Sequence, residues 1–105
     1  MAWFLLALAG AFEIAFTTAI RFTGGFTRFW PSAAVLLLAA ISILLVAKAS
    51  ETIPLGTAYA AWGGIGALGT VFVGIFYFDE PATTWRLVFL ATLIGSIAGL
   101  KLVTE

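Results

Sequence analysis

The sequence predicts an all-α membrane protein with four transmembrane helices, and three observations carry that prediction. Hydrophobic residues make up 63% of the 105 and charged residues only 10%. A soluble domain of this size needs about a quarter charged residues to cover itself. The few charges fall in clusters, and each apolar run between them approaches the ~20 residues with which a helix crosses ~30 Å of hydrocarbon.

The runs place helices at about 3–21, 32–49, 55–78 and 84–103, in a single integral membrane domain over residues 1–105. Arg21 ends the first, and Phe22 to Arg28 form a short polar connection. The second starts after Pro31 and stops at Lys48. Ser50-Glu51-Thr52-Ile53-Pro54 turns the chain into the third, which Asp79-Glu80-Pro81 terminates. The fourth lies between Arg86 and Lys101, whose long side chains can snorkel to the headgroups. Pro31, Pro54 and Pro81 all fall before or at a helix start, where a missing N–H costs little. Trp3, Trp30 and Trp85 fall at expected membrane–water boundaries. The runs are continuously apolar and too long for spanning β-strands, which should alternate. The opening Met-Ala-Trp-Phe-Leu-Leu lacks the basic flank of a secretory signal, and Glu13 interrupts the run. The first segment is therefore expected to stay in the mature protein.

Composition also excludes chemistry. The chain has no Cys and no His, so disulfides, thiolates and imidazole-based metal or acid–base sites are ruled out. No cofactor is expected. Net charge is zero, which argues against nucleic acid as a partner. Without a nucleophile–base pair or a metal cluster, an enzyme is not expected.

Orientation is weakly encoded. Four spans put Lys48 and Lys101 on one side and Arg21, Arg28 and Arg86 on the other. Two cations against three give the positive-inside rule almost no bias. Either the chain has an ordinary topology with a weak signal, or it inserts both ways and pairs antiparallel with a second copy. The second case would build from two chains the inverted repeat that many transporters encode in one.

Glu13 is the residue that demands an explanation. It lies about ten residues past Trp3, roughly 15 Å into the bilayer and close to its midplane. No Lys or Arg lies at a similar depth in any span. An acid there costs about 2.5–3.5 kcal/mol on insertion scales, so it is expected to be a functional, proton-exchanging group, the alternative being a satisfied structural acid. Gly10 at i−3 and Thr17 at i+4 share its helix face, and Phe16 at i+3 either walls the site or faces lipid. Tyr59 and Trp62 share one face of the third helix, with Trp62 too deep for an interfacial anchor. A buried phenol or indole needs an acceptor, which a midplane carboxylate would provide, and both ring faces attract organic cations. Ser42, halfway along the second span, is a further candidate for the site or for helix–helix hydrogen bonding.

Six glycines crowd the third segment, and Gly64 to Gly66 is the expected place for a bend that gates access, the alternative being close packing. Gly95-Ser-Ile-Ala-Gly99 is a GxxxG pattern suited to a dimer interface.

Three stretches of the chain resemble the small multidrug resistance transporters: Ala11-Phe-Glu13-Ile, Gly25-Phe-Thr-Arg-Phe-Trp-Pro-Ser32, and Pro54-Leu-Gly-Thr-Ala-Tyr59-Ala-Ala-Trp62-Gly-Gly-Ile-Gly66. The likeness covers essentially the whole chain. It implies an antiparallel, dual-topology homodimer, or a heterodimer with a paired subunit of the family, in the inner (plasma) membrane. It further implies export of cations in exchange for protons, both using the glutamate matched by Glu13, with Tyr59 and Trp62 in binding-site positions. Gly10, Ser42 and Gly99-Leu-Lys101 look most like the guanidinium exporter subtype, and Ala39 stands where quaternary-cation exporters often have tyrosine. Phe16 departs from that subtype, which usually carries tryptophan there. The lost indole N–H leaves guanidinium, substituted guanidinium and broader cations open as substrates. The alternative function is a multidrug exporter of quaternary ammonium or aromatic cations. A proton-conducting ring subunit is the rival of a different class, and it needs no aromatic pair beside its acid.

Overall fold

A computed structural model describes residues 1–103, so the last two residues of the expected domain lie outside it. The apolar runs form four α-helices, α1 (Ala2–Ile20), α2 (Phe29–Ala49), α3 (Leu55–Tyr77) and α4 (Thr84–Val103). Their 19, 21, 23 and 20 residues give lengths of about 28–35 Å, enough to cross the hydrocarbon core. This is a multi-pass membrane protein.

α2 begins three residues ahead of the sequence expectation. Arg28 is extended at its N-cap, and Pro31 occupies the first turn, where no backbone N–H is required. The connection before it turns on Gly24 and Gly25, with φ of 59° and 70°, which glycine adopts without a Cβ clash. Phe26 follows them in the left-handed region at φ 66°. The buried Thr23 fastens this loop: its Oγ1 donates to Ile20 O (2.8 Å) and accepts from Phe26 N (3.2 Å).

The helices lie side by side in the order α2, α1, α3, α4, with only slight contact between α2 and α3. The Cα trace measures 43 × 35 × 17 Å, so its thinnest dimension is about one and a half helix diameters. Chain direction alternates from each helix to the next along the sequence, so the spatial neighbours α1 and α3 run parallel. The Arg21 guanidinium sits 4.4 Å from the Phe78 ring, which joins the C-terminal ends of α1 and α3. The Lys101 ammonium lies 5.9 Å from the Trp3 ring, which joins the end of α4 to the start of α1.

Packing is concentrated at that second end. Leu6 and Ala9 of α1, Val46 and Ala49 of α2, Ile53 of the connection, and Ala58 and Ala61 of α3 form one buried cluster. Four of the seven are alanines, because helices in lipid gain from close backbone approach more than from large apolar side chains. Gly10 belongs to the same logic: a Cβ there would collide with Ile65 of α3. α4 is different. Among the described residues its backbone packs only on α3, with Lys101 also reaching α1 at Trp3, and it contributes no buried residue.

Gly10→Leu should therefore force α1 from α3. The expected loss is about 1–3 kcal/mol, the usual range for overpacking, read as a lower unfolding midpoint in detergent micelles. An unchanged midpoint would contradict the close α1–α3 approach.

Candidate functional site

Glu13 projects from the middle of α1 onto bare backbone of α3. A Cβ at Gly66 would fall on the Glu13 carboxylate, so glycine is what lets the acid lie there. The neighbouring positions follow the same pattern: a Cβ at Gly69 would strike Ile14. Glu13 Oε1 is inaccessible to solvent and has no hydrogen-bond partner among the described residues. An orphaned carboxyl oxygen away from water is costly, and either a proton or a cation relieves that cost.

The acid opens into a cavity of about 400 Å3. α1 supplies Glu13 and Thr17. From α3 come Gly63, Gly66, Ala67, Thr70 and Val71, and the following turn contributes Glu80. The α3 residues recur at helical spacings of three and four, so they form one smooth face. Thr17 crosses to that face: its Oγ1 donates to Glu13 O (2.8 Å) and lies 2.6 Å from Thr70 Oγ1. With Thr17 donating within its own helix, the Thr70 hydroxyl is the donor across the helix pair.

The aromatic and serine candidates form a second layer, nearer the packed end. Trp62 Nε1 donates to Ser42 Oγ (2.9 Å), and Ser42 Oγ donates to Ala9 O (2.7 Å). The indole N–H therefore goes to Ser42, not to the carboxylate expected from the sequence. The reason is local: Ser42 is fully buried, and its hydroxyl can accept from one helix while donating to another. This relay ties α3 through α2 to α1 one turn before Glu13. The Tyr59 ring lies 5.9 Å from that of Trp62 and is 65% exposed.

Gly10, Phe16, Ser42, Tyr59 and Trp62 do not line the Glu13 cavity of the single chain. Gly64 and Gly66 occur in an unbroken helix and serve close approach, Gly64 to Ile97 and Leu93 of α4 and Gly66 to Glu13. Gly95 and Gly99 have open space where a Cβ would stand, so the GxxxG face is unused within the chain. Thr70 and Glu80 were not singled out from the sequence. The spacing Gly63, Gly66, Ala67, Thr70, Val71, Gly74 is the signal that could have found the face leading from one acid to the other.

The Ser42–Trp62 hydrogen bond has a measurable consequence. Comparing Ser42→Ala, Trp62→Phe and the double variant should give a coupling of about 0.6 kcal/mol, the average for interhelical hydrogen bonds in membranes, and at most about 1.7 kcal/mol. Zero coupling in a detergent unfolding cycle would contradict the bond.

The model of the Small Multidrug Resistance protein family matches residues 1–93. A guanidinium exporter of Citrobacter freundii is 40% identical over 105 residues, covering all of both chains. Guanidinium exporters of Yersinia pseudotuberculosis serotype I (strain IP32953) and Proteus vulgaris are 41% and 42% identical over 102 residues. Each alignment covers 97% of this chain and 98% of the relative. With the family model spanning most of the sequence and these relatives matching nearly all of it, this chain belongs to the small multidrug resistance family.

Proposed function

We propose that this protein is a proton-coupled antiporter that exports guanidinium or small substituted guanidinium cations across the inner (plasma) membrane. It works as an antiparallel dual-topology dimer in which protons and substrate compete for paired Glu13 carboxylates. The observation that carries this reading is an orphaned, solvent-inaccessible carboxyl oxygen, Glu13 Oε1, on a residue that lines a cavity of about 400 Å3. Relatives named guanidinium exporters supply the substrate class.

The chemistry follows from the group. A carboxylate in a low-dielectric site binds either a proton or a cation, and one excludes the other when only one charge can be neutralised. A planar guanidinium offers paired N–H donors that match two carboxylate oxygens. A quaternary ammonium ion has none and must rely on charge and ring faces. The smooth glycine and alanine face of α3 lets a flat cation approach Glu13 without a bulky side chain in the way.

A second copy of the chain completes the site. In a single chain the cavity has walls from α1, α3 and the turn after α3, and the 17 Å thickness leaves a face uncovered. α4 has no fully buried residue and presents Gly95 and Gly99 with open space where a Cβ would stand, which suits a helix–helix interface. Antiparallel pairing would bring two Glu13 residues together near the midplane, and cation charge bookkeeping then allows protons to be returned as substrate leaves. Ser42 and Trp62 fix the position of α1 beside the acid, and Tyr59 offers its exposed ring to the same assembly.

Purified protein in liposomes should take up guanidinium against a proton gradient. Glu13→Gln should abolish both uptake and its coupled proton movement, and unchanged transport would remove the basis of the reading. Gly66→Ala keeps the acid but places a methyl where its carboxylate lies, so transport should fall at least tenfold. That factor corresponds to about 1.4 kcal/mol, within the usual range for overpacking. Wild-type rates in Gly66→Ala would contradict the role given to the bare backbone.

A further inference from the structure

The Glu13 cavity ends at a second carboxylate, and the way the chain places it is specific. α3 stops at Tyr77, and Asp79 then adopts the left-handed conformation at φ 54°, which Asp tolerates better than most residues. The chain doubles back so that Glu80 N and Phe78 N both donate to Gly74 O at 3.0 Å. The Glu80 carboxylate then lies over Gly74, where a Cβ would collide with it. Each acid of the cavity thus rests on a glycine of the same α3 face, Glu13 on Gly66 and Glu80 on Gly74. Eight residues separate the two glycines, which is about 12 Å along the helix. The Thr17–Thr70 hydroxyl pair lies between them.

Glu80 already holds a guanidinium group. Arg86 Nη2 donates to Glu80 Oε1 at 2.8 Å, while Arg86 Nη1 donates to Pro81 O at 2.8 Å. The pair is partly exposed, with 38% of the Glu80 side chain and 29% of the Arg86 side chain accessible. Arg86 is therefore fastened at two points and fixes one carboxylate oxygen. The other, Oε2, has no hydrogen-bond partner among the described residues and belongs to a residue that lines the cavity.

We propose that Glu80 is an outer cation-binding residue, through which guanidinium-like substrate passes between the membrane surface and Glu13, and that Arg86 positions and weakens it. The proposal rests on the cation-export reading of Glu13. Its chemistry fits a transit site. An unpaired acid at the mouth would hold a cation tightly, whereas one already half-neutralised by Arg86 holds it weakly enough to release it. Conduction through successive sites requires binding of that kind. The intervening face of α3 presents glycine, alanine and a hydroxyl, so a flat cation meets no counter-charge that would trap it midway.

The test compares wild type, Glu80→Gln, Glu80→Asp and Arg86→Gln in two assays. One is guanidinium-induced proton release from detergent-solubilised protein, which reports occupancy at Glu13. The other is the concentration dependence of guanidinium transport in liposomes. Glu80→Gln should leave the proton-release affinity within twofold of wild type while raising the transport KM at least fivefold, and Glu80→Asp should restore most of the loss. Arg86→Gln, which strips the acid of its neutralising partner, should lower KM. Opposite signs from the two halves of one ion pair are the mark of an electrostatic role, since a merely structural pair loses the same thing from either side. A Glu80→Gln KM within twofold of wild type, or shifts of the same sign in Glu80→Gln and Arg86→Gln, would overturn the proposal. If wild-type protein releases protons to guanidinium but Glu80→Gln transports like wild type, only this inference fails. If wild type releases none, the export reading fails and this inference with it.

Discussion

The contact on which the rest of the molecule depends is that of the Glu13 carboxylate with the bare backbone of α3 at Gly66. Lipid supplies no hydrogen bonds, so a side-chain oxygen left alone at this depth must be made tolerable by its surroundings or by a bound proton or cation. Among the described residues no donor satisfies Oε1. The protein makes room instead, by removing side chains from one face of α3 and opening that face into a cavity. A satisfied acid would be a structural element. An unsatisfied one beside a cavity is what the proposed proton and cation exchange requires.

That choice sets the division of labour along the helices. At the end where α1 begins and α4 finishes, alanines and the Ser42 relay lock α1, α2 and α3 at short range. Toward the opposite end the same α3 face turns to glycine, threonine and small apolar residues, and the helices enclose space. A rigid half and an open half in one thin layer give the acid a fixed backbone and an accessible head. α4 packs on α3 at Gly64 and leaves Gly95 and Gly99 uncovered, the face given to a second subunit in the proposed dimer.

The sequence disclosed the four helices because hydrocarbon thickness imposes a length and an apolarity that few other folds share. It disclosed Glu13 for the same reason, an acid in such a run being costly. What it could not disclose was the partner of each polar group. Trp62 and Glu13 looked matched, as a donor and an acceptor at similar depth. Three-dimensional packing instead put Ser42 nearer, and its hydroxyl can serve two helices at once. The helix glycines were ambiguous in the same way. A bend and a close approach use the same residue, and only the neighbour across the interface distinguishes them, Ile97 for Gly64 and Glu13 for Gly66. Glu80 was hidden because its approach to the cavity depends on the left-handed turn at Asp79, which charge clustering alone does not reveal.

The central claim is that one carboxyl group alternates between a proton and a guanidinium-like cation. The most direct measurement is the infrared difference spectrum of the protein in lipid on adding guanidinium. The expected result is loss of a protonated carboxyl band together with gain of a carboxylate band, both absent from Glu13→Gln. A spectrum without those bands in wild type, or with them intact in Glu13→Gln, would contradict it.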